Sequence, residues 1–302
     1  MCGIVGFTGR RRAAPILLDG DEPAQVVKAV GKLRNLAEKT DGGAALAGCC
    51  GIGHTRWATH GAPSLINAHP HVSGSGVSSG SDAVESQVVG VHNGIIENCS
   101  ELKAKLERHG YTFYSDTDTE TAVKLVDYYY KKYKLGPVDA LTRAMVRIQG
   151  SYALALMFQD YPGEIFAARK DSPMILGVAE GETYLASDVP AILNDTRNVY
   201  YIGNQQAARL SPGEIHFYDL NGDEVELPLT EITWDAQAAE KGGYQHFMLK
   251  EIHEQPAAVR DTLNSLLKDG WIDLSGAGLT EEVLQSVSSI HIAACGSAWH
   301  GG

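Results

Sequence analysis

MCGIVGF, residues 1–7, is a short apolar strand at the start of the chain. Its texture returns in SYALALMF (151–158), GEIFAAR (163–169), MILGVAE (174–180), ETYLAS (182–187), NVYYIG (198–203) and GEIHFYDL (213–220). These runs are short, rich in β-branched and aromatic residues and punctuated by Gly, Pro and Asp, the pattern of strands joined by tight turns. Asn221-Gly222 closes one of the hairpins. Between the first strand and this second half lie helical stretches. Val26, Val27, Val30, Leu33 and Leu36 follow helical spacing behind Pro23 and predict a helix over 21–40. Ser100 to Gly110 reads as a second helix ending on a glycine. Thr117-Asp118-Thr119-Glu120 has capping-box spacing and opens a third, through Tyr133. Val138 to Ile148 reads as a fourth. Strands grouped apart from helices imply a layered α+β fold.

Two stretches in the first half read as strands, 51–54 and 86–91, the second broken by a turn at Asn93-Gly94. SGSGVSSGS (73–81) has the composition of a surface loop. Beyond residue 228 a connector leads to a helix over 250–267. SIHIAA (289–294) then predicts a buried strand, as if a further α/β domain opened there and was cut off.

The chain has 302 residues, 44% of them hydrophobic and 21% charged, enough for a sizeable core. Its net charge of −12 argues against nucleic acid and anionic membranes as partners. No apolar run approaches the ~20 residues of a membrane span, and no signal peptide is expected at the start. The five cysteines have neither paired CxxC nor zinc-finger spacing. Reduced thiols in a cytoplasmic setting are the expectation, with no metal and no cofactor.

Cys2 stands apart. With Met1 removed, its α-amino group has a pKa of ~7.7–8.0 and can take the proton of its own thiol, so an N-terminal cysteine carries its own general base. In GHTRWATHG (53–61), Arg56 offers a planar fork suited to a carboxylate, Trp57 a lid, and Thr59 and His60 donors. The same loop could equally hold an Arg–Trp cation–π pair. Asn93-Gly94 reads either as an ordinary turn or as an oxyanion hole of one side-chain amide and one backbone N–H. Asp118 is either a helix-start residue or a carboxylate for the ammonium of an amino acid.

Taken together, MCGIVGF, GHTRWATHG, NAHPH (67–71), HNGIIEN (92–98), TDTE (117–120) and ASD (186–188) resemble the glutaminase domain of the class II, N-terminal-nucleophile amidotransferases. HFMLKEIHEQP (246–256) and HIAACGSAWHGG (291–302) are similar to the linker and opening of the sugar-isomerase half found in the branch that aminates fructose 6-phosphate. The resemblance implies a four-layer αββα sandwich followed by the start of an α/β isomerase domain. It divides the chain into a glutaminase domain (1–228), a linker (229–245) and the isomerase start (246–302). Cys2 would be the nucleophile, and Asn93 and Gly94 the oxyanion hole. Arg56, helped by Thr59 and His60, would bind the α-carboxylate of L-glutamine, and Asp118 its ammonium. Trp57 would gate the ammonia path, and His69 would lie in the same site. Fructose 6-phosphate would be a partner only alongside a complete isomerase half, and a homodimer would form through that half. The family segment resembling LEYRGYDSAG, which brings an Arg beside the nucleophile, is missing after Gly20. The alternative is therefore an impaired remnant that binds glutamine or a partner chain without turnover.

Overall fold

A computed structural model describes residues 3–11, 24–46, 48–56, 61–75, 81–84, 87–134, 136–233, 242–268, 270–294 and 300. No helix among them is long and apolar enough to cross a membrane. The chain divides into two compact units, Met1–Ala236 and Gln237–Gly302.

In chain order the first unit contains β1 (Gly3–Thr8), β2 (Ala24–Val27), α1 (Leu33–Lys39), β3 (Cys50–Thr55), β4 (His71–Val72), β5 (Ser81–Val84) and β6 (Val88–Ile96). Three helices follow, α2 (Cys99–Glu107), α3 (Asp118–Tyr133) and α4 (Pro137–Met145). The remaining strands are β7 (Gly150–Phe158), β8 (Ile165–Lys170), β9 (Ile175–Ala179), β10 (Glu182–Ala186), β11 (Asn198–Tyr201), β12 (Gln206–Ser211), β13 (Glu214–Tyr218), β14 (Glu224–Val225) and β15 (Thr230–Glu231). Six of these form one sheet in the order β15-β11-β9-β10-β1-β3, and seven form another in the order β14-β13-β12-β8-β7-β6-β4. Every pairing within the two sheets is antiparallel.

Alternation along the strands builds the layers. On β7, Ala153, Ala155 and Met157 face the six-stranded sheet and pack with Ile4, Ile52, Leu176 and Leu185. Tyr152, Leu154, Leu156 and Phe158 point the other way, onto Val123 and Val126 of α3 and Leu141 of α4. A strand covered on both faces must be apolar throughout, which is why 151–158 reads as a continuous hydrophobic run. The outer face of the six-stranded sheet is covered by Val189, Ile192 and Leu193 of a short 3-10 turn and its continuation, and by Leu36 of α1 over Phe7. The order is helices, sheet, sheet and a thin outer layer: the α+β sandwich the sequence implies.

Four local readings change. The helix expected over 21–40 is instead β2, paired with β5, followed by the short α1. The β-branched Val26 and Val27 are buried, whereas Val30 and Leu33 are exposed, so the valines and leucines do not share one face. Gly31 has φ +99 and turns the chain between the two elements. Asn93-Gly94 is not a turn: β6 runs straight through it, with Asn93 opposite Ala153 and Gly94 opposite Tyr152. β12 went unread because its AARL core has weak strand propensity. Residues 289–294 form no strand. Ile290 and Ile292 are 80% and 61% exposed, with no neighbouring strand among the described residues to cover them.

The second unit holds α5 (Phe247–Leu266), a small hairpin of β16 (Leu267–Lys268) and β17 (Trp271–Ile272), and α6 (Glu281–Ser286). α5 continues through Pro256.

Candidate active site

The site grows from the start of β1. Gly3 lies opposite Thr55 in the β1–β3 pairing, and its N–H donates to Thr55 Oγ1 at 3.1 Å. The residue after Cys2 is thus held against Thr55-Arg56. Cys2, Trp57, Thr59 and His60 themselves lie outside the described residues.

Asn93 sits in mid-strand, 8% exposed, and its side-chain amide is held at both ends. His54 Nε2, on β3, lies 2.8 Å from Oδ1. Nδ2 donates to Ser187 Oγ at 3.0 Å. That hydroxyl also accepts from the N–H of Ile4 at 2.9 Å, and Ser187 N–H donates to Ile4 O at 3.0 Å. Gly94 has φ +129. A Cβ there would meet Ser151 O at 2.1 Å and Ser172 Oγ at 2.9 Å, so only glycine fits.

Asp118 is the first residue of α3, behind the cap Thr117, whose side chain accepts from Glu120 N–H. Its Oδ2 accepts from Ile96 N–H at 2.9 Å, joining the end of β6 to the start of α3. Its Oδ1 lies 3.9 Å from His92 Nδ1. The glutamate of the capping box does not reach back to its own cap. Glu120 instead accepts from Tyr114 N–H, Ser115 N–H and Ser115 Oγ, and it pairs with buried Lys124 at 2.7 Å.

His69 connects these parts. Its ring lies 4.0 Å from that of His54 and 5.1 Å from that of His71. Its Nε2 meets Thr119 Oγ1 at 3.1 Å, and that hydroxyl is also 3.2 Å from His92 Nδ1. Loss of solvation pushes His54 down to about 4 and holds His69 and His71 well below the usual histidine range. All three rings are therefore neutral near pH 7.

Arg56 donates to Gly61 O at 3.0 Å and Ala62 O at 3.2 Å. A cleft of about 210 Å³ lies beside it, lined by Arg56, His54, His69, Ser64 and Lys28 together with the chain from Val27 to Leu36. Burial lowers the pKa of Lys28 to about 8. Burial also pushes the Cys50 thiol up to about 12 and raises that of Cys99.

The structure therefore brings Arg56 and His69 to one cleft and reaches Asn93 through His54. Asp118 is reached through Thr119 and His92. Sequence reasoning quoted HTRW and ASD without assigning roles to His54 or Ser187; nothing in their spacing shows that they converge on one amide.

The description "Glutamine amidotransferase domain" matches residues 76–194. Glutamine–fructose-6-phosphate aminotransferase [isomerizing] of Caldanaerobacter subterraneus subsp. tengcongensis is 44% identical over 324 aligned positions, covering 100% of this chain and 50% of the relative. The protein of the same name from Methanosarcina acetivorans is 41% identical, covering 100% and 51%. The chain thus spans about half the length of the curated relatives it matches. The former alignment is longer than the 302 residues here, so that relative carries positions this chain lacks. Among solved structures, the allosteric regulatory enzyme of purine biosynthesis aligns with a TM-score of 0.54 at 21% identity, over 74% of this chain and 50% of that one. The glutamine phosphoribosylpyrophosphate amidotransferase of B. subtilis, complexed with ADP and GMP, gives 0.52 at 18%, with the same coverage. These two share the fold. With a buried Asn-Gly pair where a turn was expected, and identity above 40% along the entire chain, the sequence carries a glutamine amidotransferase domain and is similar throughout to about half the length of the glutamine–fructose-6-phosphate aminotransferases.

Proposed function

We propose that this chain hydrolyses L-glutamine to glutamate and ammonia through a thioester on Cys2. Once Met1 is removed, the α-amine takes the thiol proton and the thiolate attacks the side-chain amide carbon. Asn93 Nδ2–H and Gly94 N–H stabilise the oxyanion of the tetrahedral intermediate. The α-ammonium gives its proton to the amide nitrogen, the C–N bond breaks and ammonia leaves; water, deprotonated by the α-amine, then hydrolyses the thioester to glutamate and frees the thiol. Arg56, helped by Thr59 and His60, binds the α-carboxylate, Asp118 binds the α-ammonium, His69 belongs to the same site, and Trp57 gates the ammonia path. Residues 1–228 form this glutaminase, 229–245 the linker, and 246–302 the start of a sugar-isomerase domain. In an enzyme with the complete isomerase half, the ammonia converts fructose 6-phosphate to glucosamine 6-phosphate, and that half makes the homodimer.

The observation that carries this reading is the Asn93-Gly94 pair. A buried amide held at both ends, beside a glycine whose conformation excludes any side chain, stands one hydrogen-bonded residue from the start of β1. The likeness to these relatives and the glutamine amidotransferase domain favour this reading over an impaired remnant. The test is glutamate release from glutamine by the purified chain and by Cys2→Ala, with intact mass recording whether Met1 is gone. Cys2→Ala is expected to fold and to release none. Undiminished release by that variant would remove Cys2 from the chemistry. An electrophilic glutamine analogue should label Cys2 and spare Cys50 and Cys99, which burial keeps protonated.

A further inference from the structure

An oxyanion donor must present nitrogen, not oxygen, and a side-chain amide can be turned over by a 180° flip about one soft torsion. A primary amide in a pocket of hydroxyls would have no reason to choose. Asn93 has one. His54 is neutral because burial drives its pKa to about 4, so its ring carries a single proton. Its Nδ1 is buried and makes no well-formed hydrogen bond among the described residues, the backbone of His92 being its neighbour, whereas its Nε2 is 2.8 Å from Asn93 Oδ1. The proton belongs on Nε2, where an acceptor receives it.

We infer that His54 is a positioning residue for the reaction: by donating from Nε2 it locks Asn93 Oδ1 away from the nucleophile and turns Nδ2 toward the start of β1. Ser187 completes the lock from the other side. Its Oγ already accepts from Ile4 N–H, and it receives Asn93 Nδ2 at 3.0 Å. It is therefore the nitrogen end of the amide, and not the oxygen, that faces Ser187 and the start of β1. His54 stays in place because its ring packs against that of His69, tilted by 31° with centroids 4.0 Å apart, which Thr119 anchors. The inference rests on the glutaminase reading above.

The test compares His54→Leu, which keeps volume and loses the donor, with His54→Gln, whose amide N–H reaches about where Nε2 lies. Each is made in the parent chain and in Asn93→Ala. His54→Leu should lower kcat about 10- to 100-fold with little change in KM, and His54→Gln should recover most of that loss. In the Asn93→Ala background neither change at residue 54 should lower kcat much further, because the group being positioned is gone. Thermal unfolding of each variant identifies any that fails to fold, and the Leu–Gln contrast in kcat is read only between variants that melt alike. Should both fail to fold, Ser187→Ala, which frees the other end of the amide, takes their place with the same kcat and double-variant readouts. Equal kcat losses from His54→Leu in the two backgrounds would mean His54 acts elsewhere and would overturn the inference alone. If the parent chain released no glutamate, or Asn93→Ala left kcat unchanged, the glutaminase reading would fall and this inference with it.

Discussion

Replacing Gly94 by alanine tests the geometry most directly. The added methyl would sit 2.1 Å from Ser151 O, 2.7 Å from Ser151 C and 2.9 Å from Ser172 Oγ. The first two are backbone atoms in the centre of the seven-stranded sheet and cannot swing aside. Alanine must also accept φ +129, a strain of ~1–3 kcal/mol. Forcing β6 and β7 apart adds ~1–3 kcal/mol of overpacking. The total, roughly 2–6 kcal/mol, is a large share of a typical 5–15 kcal/mol stability. At ~2–4 °C per kcal/mol for a unit of this size, the melting temperature should fall by roughly 4–24 °C. Gly110→Ala is the control: its φ is +88 but nothing lies within 4 Å of the added atom, so only the strain of ~1–2 kcal/mol remains. Urea unfolding of the parent and both variants gives the comparison. If Gly94→Ala proved no more destabilising than Gly110→Ala, the close approach to Ser151 would be wrong, and with it the argument that position 94 admits only glycine.

Other outcomes follow from the same contacts. Arg56→Lys should raise KM for glutamine strongly, because a point charge replaces a fork, whereas Asn93→Ala should lower kcat by ~10²–10³; steady-state kinetics separate the two. Glu120→Ala should cost ~3–5 kcal/mol in urea unfolding, since it leaves buried Lys124 without its carboxylate; Glu120→Gln, which keeps one of the two oxygens that accept from Tyr114 and Ser115, should cost less. Stability should fall as the pH drops below about 6.5 and continue falling toward about 4. The unfolded chain takes up protons on His54, His69 and His71 that the folded chain refuses, so acid favours unfolding. Urea midpoints between pH 7 and pH 4.5 measure this, and a flat profile would mean the rings are not shut off from solvent.

The layers were legible because they are written in alternation and composition. A run such as SYALALMF, without a polar break after Ser151, reads as a strand covered on both faces, and β7 is one. The second half of the chain was readable for this reason, apart from β12. The helix expected over 21–40 failed because valines spaced by three and four satisfy a helix on paper while their β-branched side chains pair equally well in a strand, as Val26 and Val27 do with β5. The site was legible in part. Arg56, Asn93, Gly94 and Asp118 belong to motifs that can be quoted, but their partners come from far along the chain. His54 and Ser187 are 39 and 94 residues from Asn93. No local pattern marks them, because the convergence is made by the stacking of two sheets.

That stacking gives the amide of Asn93 an unusual address. Asn93 belongs to the seven-stranded sheet, whereas His54 lies on β3 and Ser187 follows β10, both of the six-stranded sheet. The two bonds that orient the amide therefore span the joint between the layers, and its alignment gauges how those layers are seated. Between them Ala153, Ala155, Ala167 and Ala208 interleave with larger side chains such as Ile4, Ile52, Leu176 and Leu185, with little slack to absorb a change. A methyl group added in that joint would slide one sheet over the other and turn the amide off its target while every strand remained paired. Catalytic competence would be the first property lost, and cohesion the last.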